Sequence, residues 1–417
     1  MLRSRVSVEG LERVDAFEPA IGYDRDAKAG VEARLTIFQH DRDRGGIFIG
    51  RIWSPDESGP SIITVRDDMV VDITSPTAPL VADICDMDDP AGYVRNADGR
   101  EVGRIENIAA NRPGDMSKPH FLAPCDMQAI KACGVTFASS MVERVIEEKA
   151  AGDPKKAQDI RTRVGSAIGG SLRNVRAGSE EAAKVKAALI AEGLWSPYLE
   201  VGIGPDAEVF SKAQVLSSVG PGAEVGLHPI SKWNNPEPEI VLAVSSKGRI
   251  VGATLGNDVN LRDIEGRSAL LLSKAKDNNA SCAIGPMIRL FDDGFTLDDV
   301  RNAELDLTVT GEDGFELKGH SSMKEISRDP EDLVRQTLGR HHQYPDGIML
   351  FLGTLFAPTQ DRDVPGEGFT HKVGDVVTIS APGLGRLTNT VRLSTECAEW
   401  TFGTRELMRN LAERRLL

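Results

Sequence analysis

Short apolar runs bounded by turn residues dominate the first quarter of the 417-residue chain. Between about 32 and 112, "ARLTIF", "GGIFIGRIW" and "SIITVRDDMVVDIT" carry β-branched and aromatic residues at strand spacing. Asp56-Glu57-Ser58-Gly59-Pro60 separates two of them with turn chemistry. This pattern predicts a small N-terminal β domain over residues 1–115. The period then becomes helical in "MVERVIEEKAAGDPKKAQDIRTRVGSAIGGSLRNVRAGSEEAAKVKAALIAEGLW", which is rich in Ala, Glu, Lys and Arg and broken by Gly and Asp-Pro. Two or three surface helices are expected, a helical segment over about 144–195. From about 205 strand-like runs return: "EIVLAVSS", "IVGATLGNDV", "AELDLTVTG", "GIMLFLGTLF" and "VGDVVTISAPGLG", with one acid-capped helix around "DPEDLVRQTLGRHH". A β-rich second domain, residues 116–417, follows.

One of these strands is entered through two acids. In "SKWNNPEPEIVLAV", residues 231–244, Glu237 and Glu239 stand two apart, so an extended chain points both to the same side. Beside an apolar strand each opposes ionisation of the other, and a cation between them is expected. Asp258 in "GATLGNDVNLRD" ends a second apolar run, where Gly256 and Asn257 suggest a tight backbone. Three carboxylates without a His or Cys partner are a hard oxygen set, suited to Mg²⁺, or to Mn²⁺ or Ca²⁺, rather than zinc. Spacing alone also fits a solvated strand edge. Lys274 and Lys276 close the apolar segment before "DNNASCAIGP". Either could neutralise a substrate carboxylate beside an ion, and either fits equally as a surface lysine.

Composition narrows the partners. With 49 basic and 63 acidic side chains the net charge is -14, which argues against nucleic acid and anionic membranes and for small diffusible ligands. The five cysteines, Cys85, Cys125, Cys133, Cys282 and Cys397, form no CxxC pair, so free thiols are expected. "MLRSRVSVEGLERVDAF" has no apolar signal core and no run approaches a membrane span, so the expected location is cytoplasmic. No glycine-rich dinucleotide fingerprint or GxSxG elbow occurs. His341 and His342 read as surface residues.

In order along the chain, "FLAPCDMQAIKACGVTFASSMVE", "EVFSKAQVLSSVGPGAEV", "NPEPEIVLAV", "GATLGNDVNLRD", "SKAKDNNASCAIGP", "GHSSM", "LFLGTLFAPT" and "VGDVVTISAPGLGRLTN" resemble the fumarylacetoacetate hydrolase superfamily. The resemblance spans roughly 119–417. It implies an α+β, predominantly β fold, a mixed β-roll behind a small N-terminal domain, assembled as a homodimer. It implies Mg²⁺ held by Glu237, Glu239 and Asp258, and a small-molecule 2-oxo acid substrate. By the same matching Lys274 lies beside the metal, Thr354 contacts the substrate carboxylate, Lys212 and Ser217 lie near the pocket, and Arg262 with Asp263 supports it.

One departure bears on the reaction. Hydrolases of the family carry a His and a Glu where this chain has Ser140 and Glu143. Serine has no group that titrates near neutral pH, so it cannot activate water as imidazole does. The long form with "WNNPEPE" is most similar to the family's 2-keto-3-deoxy sugar acid dehydratases, which need no activated water. The expectation is a lyase that turns 2-keto-3-deoxypentonate into 2-oxoglutarate semialdehyde, with Glu143 as acid/base and Lys274 holding the 2-oxo acid. An acylpyruvate hydrolase and a non-catalytic sugar-acid binding protein stand as alternatives.

Overall fold

The computed structural model describes residues 36–38 and 45–417, except 173, 174 and 357. The "MLRSRVSVEGLERVDAF" stretch and the first half of "ARLTIF" lie outside the described residues; Thr36 to Phe38, from its second half, are not in a strand.

Sixteen strands form two sheets among the described residues. The larger uses β1 (Phe48–Ser54), β2 (Gly59–Arg66), β3 (Met69–Asp72), β4 (Arg100–Arg104), β5 (His120–Leu122), β6 (Ala129–Gly134), β7 (Glu208–Ala213), β9 (Pro238–Val244), β10 (Ile250–Asp258), β11 (Cys282–Leu290) and β14 (Ile348–Phe351). Its order is β4-β3-β2-β1-β11-β10-β9-β14-β6-β7, with β5 paired to β1. The smaller sheet runs β13 (Glu316–Ser322), β12 (Glu304–Thr310), β15 (Val376–Ala381), β16 (Gly385–Leu393) and β8 (Glu224–Leu227).

The centre of the larger sheet is covered on both faces, which is why its strands read as unbroken apolar runs. Along β9, Ile240, Leu242 and Val244 enter one core while Val241 and Ala243 enter another. β14 divides in the same way, Ile348 and Leu350 against Met349 and Phe351. The first core is completed by Leu305, Leu307, Val377, Ile379, Leu387 and Val391, so the smaller sheet lies against that face.

Strands from both sides of the boundary expected near 115 meet in the larger sheet, where β1 pairs with β11 through Phe48–Arg289 and Ile49–Ile288. The reason is burial: Ile49 and Ile288 share a core, and β1 cannot be covered without the later strands.

Helices fill the connections. α1 (Val81–Asp86), α2 (Pro90–Asn96) and α3 (Ile105–Ala109) accompany the first strands. Between β6 and β7 lie α4 (Ala138–Ala150), α5 (Pro154–Leu172), α6 (Glu180–Ala191) and α7 (Pro197–Ile203), so the helical segment starts earlier than the pattern suggested and has four helices. The Gly-Asp-Pro break falls between α4 and α5: Ala151 and Gly152 adopt φ of 53° and 75°, and Pro154 opens the next helix. α4 buries Met141 and Val145 against Leu199 and Ile203 of α7. Two short helices, α8 (Arg262–Glu265) and α9 (Leu272–Lys276), connect β10 to β11. The acid-capped helix spans Pro330–Thr337, with the Asp329 carboxylate accepting from the Glu331 amide at 2.9 Å. All five cysteines are buried and free, and His341 and His342 are exposed. Among the described residues no helix is long and apolar enough to cross a membrane.

Leu242, 0% exposed at the centre of β9, tests this packing. Leu242→Ala is expected to lower unfolding free energy by about 2–5 kcal/mol, measured by chemical denaturation.

Candidate active site

β9 and β10 bring the acids to one point. Their antiparallel register sets Gly256 opposite Glu239 and Asn257 opposite Pro238. The Asp258 amide donates to the Glu237 carbonyl at 3.0 Å, and the Glu237 amide donates to the Asn257 side chain at 3.2 Å. Gly256 answers a close approach, since a Cβ there would lie 2.3 Å from the Phe351 ring. One oxygen each from Glu237, Glu239 and Asp258 lie within 4.8 Å of one another, and all three residues are buried.

Cations from three other elements converge on these acids. The Lys276 ammonium, at the end of α9, contacts Glu237 and lies 3.1 Å from Asp258 Oδ2. Lys212 of β7 lies 2.9 Å from Asp258 Oδ1. Arg144 of α4 pairs with Glu237, with Glu147 at 2.5 Å and with Glu265 at 3.0 Å. Among the described residues no lysine or arginine reaches Glu239, whose carboxylate accepts from the Gly353 amide at 2.7 Å.

The proton affinities follow these partners. Burial raises that of Glu239 well above the carboxylate range, and the charges of Asp258 and Glu237 add to the effect. Burial also pushes on Asp258, but Lys212 and Lys276 outweigh it and hold that carboxyl low. Burial works against the Lys276 ammonium, yet Asp258, Glu237 and Glu265 keep it firmly protonated. Glu265 is pushed up to about 7, chiefly by burial. The triad therefore fits a divalent cation: its donors are buried hard oxygens, and among the described residues no lysine or arginine is ion-paired to Glu239.

The acids open into a small cleft. Its walls add Ser140, Arg144, Glu208, Phe210, Glu265, Lys276 and Thr354. The Ser140 hydroxyl donates to the Phe137 carbonyl at 2.8 Å, and that of Thr354 to the Phe356 carbonyl at 3.1 Å.

Several expected site residues stand elsewhere. Lys274 is exposed and Lys276 takes the place beside the acids. The segment is a helix, and residues two apart on a helix face roughly 200° apart. Glu143 is outside the cleft wall and bound to Arg161 at 2.7 and 2.9 Å and to Arg262 at 3.2 Å. Arg262 is not a cleft residue either. It is 1% exposed, 2.6 Å from Glu147 and 4.3 Å above the Trp233 ring, so it braces α4 against the "WNNPEPE" stretch. Lys212 has no exposure and supports Asp258 from behind the cleft. Ser217 donates to the Gln214 carbonyl at 2.8 Å, away from the lining residues.

Sequence reasoning missed Glu208, Arg144 and Glu265. Glu208 opens β7, as Glu237 and Glu239 open β9, and an acid at the mouth of a strand was the signal available for it. Burial raises its proton affinity, with Arg144 and Lys276 acting the other way.

Comparison with known proteins places this geometry in a family. The fumarylacetoacetate hydrolase C-terminal model matches residues 201–392. A Haloferax volcanii protein named "Probable 2-keto-3-deoxyxylonate dehydratase" is 33% identical over 194 residues, 46% of this chain and 63% of that protein. A Saccharolobus solfataricus 2-dehydro-3-deoxy-D-arabinonate dehydratase is 30% identical over 231 residues, 55% of this chain and 70% of that protein. The alignments thus span between three fifths and about seven tenths of these relatives' lengths. A solved 2-keto-3-deoxy-D-arabinonate dehydratase in its apo form shares the fold, with TM-score 0.59 and 19% identity over 83% of this chain and 99% of that one. The same dehydratase complexed with magnesium and 2,5-dioxopentanoate gives TM-score 0.56 at 20% identity, covering 83% of this chain and 99% of that one. The chain belongs to the fumarylacetoacetate hydrolase family.

Because the raised proton affinity of Glu239 must be overcome when a cation binds, uptake of Mg²⁺ is expected to release protons and to tighten as pH rises. Titration calorimetry in buffers of different ionisation enthalpy measures this. Binding that is independent of pH between 5 and 8 would contradict it.

Proposed function

We propose that this protein is a Mg²⁺-dependent dehydratase of 2-keto-3-deoxy sugar acids, acting on a 2-keto-3-deoxypentonate to give 2,5-dioxopentanoate, which is 2-oxoglutarate semialdehyde. The observation that carries the reading is the convergence of Glu208 and Lys276 on the buried acid triad, in a cleft whose described lining residues include no histidine. The activities named for the two relatives support it.

Glu237, Glu239 and Asp258 are the residues that would hold the ion. When bound, it would place positive charge against the substrate's carboxylate and 2-keto oxygen, which acidifies the C3 protons.

The remaining steps belong to the protein's own groups. Glu208 lies in the cleft wall with a raised proton affinity, the condition for a carboxyl that moves a proton near neutral pH. It takes a proton from C3 and assists departure of the C4 hydroxyl as water, leaving a C3–C4 double bond. Return of a proton to C3 and loss of one from C5 move the double bond to C4–C5 as an enol, which becomes the C5 aldehyde. Lys276, held as a cation, supports the negative charge of the 2-oxo acid throughout. Ser140 and Thr354 offer hydroxyls to the substrate and no base. Water activation for carbon–carbon hydrolysis has no imidazole to rely on here, which is why elimination is favoured.

Incubation of the protein and Mg²⁺ with 2-keto-3-deoxypentonate is expected to yield the aldehyde, with no cleavage of an acylpyruvate. The reverse result would sink the proposal. Glu208→Gln should reduce kcat by about 10² to 10⁴ with Mg²⁺ affinity retained. Glu143→Gln and Lys274→Ala should each lose far less, as steady-state kinetics would show.

A further inference from the structure

The strongest feature outside the acid triad is the way the chain leaves the cleft and returns to it. β6 ends at Gly134 and β7 begins at Glu208, and these two residues face each other across the antiparallel pair. Residues 135–207, including α4 to α7, lie between them. A connection of that length does not by itself hold its ends to a fraction of an ångström. Two local features do.

The first is the bare backbone of Gly134. A Cβ built there would lie 1.9 Å from Glu208 Oε2 and 2.7 Å from its carboxyl carbon. The carboxylate thus lies directly against the glycine, in space any side chain would take. Gly134 is not among the residues of positive φ, so its backbone would tolerate alanine and only the Glu208 side chain would have to move.

The second is a clasp formed by Ser327 and Arg328. The Arg328 guanidinium, 3% exposed, donates to the carbonyls of Val201 at 2.8 Å, Gly204 at 2.7 Å, Asp206 at 3.0 Å and Pro205 at 3.4 Å. The amide of Ala207, the residue before Glu208, donates to the Gln336 side chain at 2.6 Å. Ser327 secures the departing strand: its amide and hydroxyl donate to the Thr136 carbonyl at 2.8 and 2.9 Å, and the hydroxyl also reaches the Gly202 carbonyl at 3.1 Å. A buried guanidinium whose two terminal nitrogens donate to four carbonyls is costly to move, because each donor left unpaired keeps its desolvation penalty. The path of 201–206 into β7 is therefore dictated by Arg328.

We infer that Gly134 and Arg328 are positioning residues for Glu208, the one by leaving room for its carboxylate and the other by fixing the backbone that presents it. The inference rests on the proposed role of Glu208 as proton carrier. Gly134 lines the cleft without a side chain to offer the substrate, and Arg328 lies outside the lining.

The test compares Gly134→Ala, Arg328→Lys and Glu208→Gln in the full chain with Mg²⁺. Lysine keeps the charge but, as a point donor, cannot span four carbonyls. Three quantities are read: kcat and KM with 2-keto-3-deoxypentonate, exchange of the C3 protons of pyruvate with D₂O by NMR, and the Mg²⁺ dissociation constant by calorimetry. Misplacement of a reacting group by about 1 Å lowers rate by about 10²-fold. Gly134→Ala and Arg328→Lys are accordingly expected to lower kcat and proton exchange by about 10- to 100-fold. KM and Mg²⁺ affinity should stay within about twofold, and the Mg²⁺ stoichiometry read by the same calorimetry should stay at the native value, which a general loss of folded protein would lower. If Arg328→Lys does not fold, Gly134→Ala decides alone. Native kcat and exchange in Gly134→Ala, with Glu208→Gln impaired, would overturn the positioning inference and leave the acid/base reading intact. Native turnover in Glu208→Gln would overturn the acid/base reading, and the positioning inference with it.

Discussion

Negative charge confined in a small buried volume is the constraint on which this structure turns. Glu237, Glu239 and Asp258 present oxygens within 4.8 Å of each other, and Glu208, Glu265 and Glu147 are close behind. In an apolar interior such a set is untenable unless positive charge reaches it. The chain responds by sending Lys276 from α9, Lys212 from β7 and Arg144 from α4 to the same point. These elements are far apart in sequence, so meeting the charge of the acids also determines how the helical segment sits on the sheet.

The same requirement extends outward in a chain of ion pairs. Arg144 bridges Glu237 to Glu147 and Glu265, Arg262 bridges Glu147 to Glu143, and Arg161 continues from Glu143 into α5. The helical segment is therefore not an ornament on the surface. It supplies Ser140 and Arg144 to the cleft wall, and its far end delivers the chain to Glu208. Beneath it, β9 is buried on both faces, which gives the carboxylates a rigid platform at the edge of two cores. Glu239 is the member of the triad that has no ion-paired lysine or arginine among the described residues, and a divalent ion is the species that its position suits.

The residues that changed roles between sequence and structure did so for geometric reasons. Lys274 and Lys276 were interchangeable as text, and only the helical turn of α9 separates them, turning one outward and one onto the acids. Glu143 has the right family position yet spends its oxygens on two guanidiniums. Arg262 was expected to support the pocket by its family position, and it does so at a remove, stacking on Trp233 outside the cleft lining. In each case a neighbour distant in sequence decided the direction of the side chain.

What the sequence determined by itself was local. The two acids entering an apolar strand, the Gly-Asn-Asp corner and the unbroken apolar runs each express a short-range physical requirement, so Glu237, Glu239 and Asp258 and the β-rich character were legible without coordinates. The helical period between β6 and β7 was legible too, although its first turn, at Ala138–Met141, blends with the preceding strand in the text. What only the tertiary structure decided was every relation between distant segments: the sharing of one sheet by β1 and β11, the choice of Lys276, and the placement of Glu208 against Gly134. Strand pairing and ion pairing depend on which segments meet in space, and a one-dimensional pattern carries the period of each segment but not the identity of its neighbour.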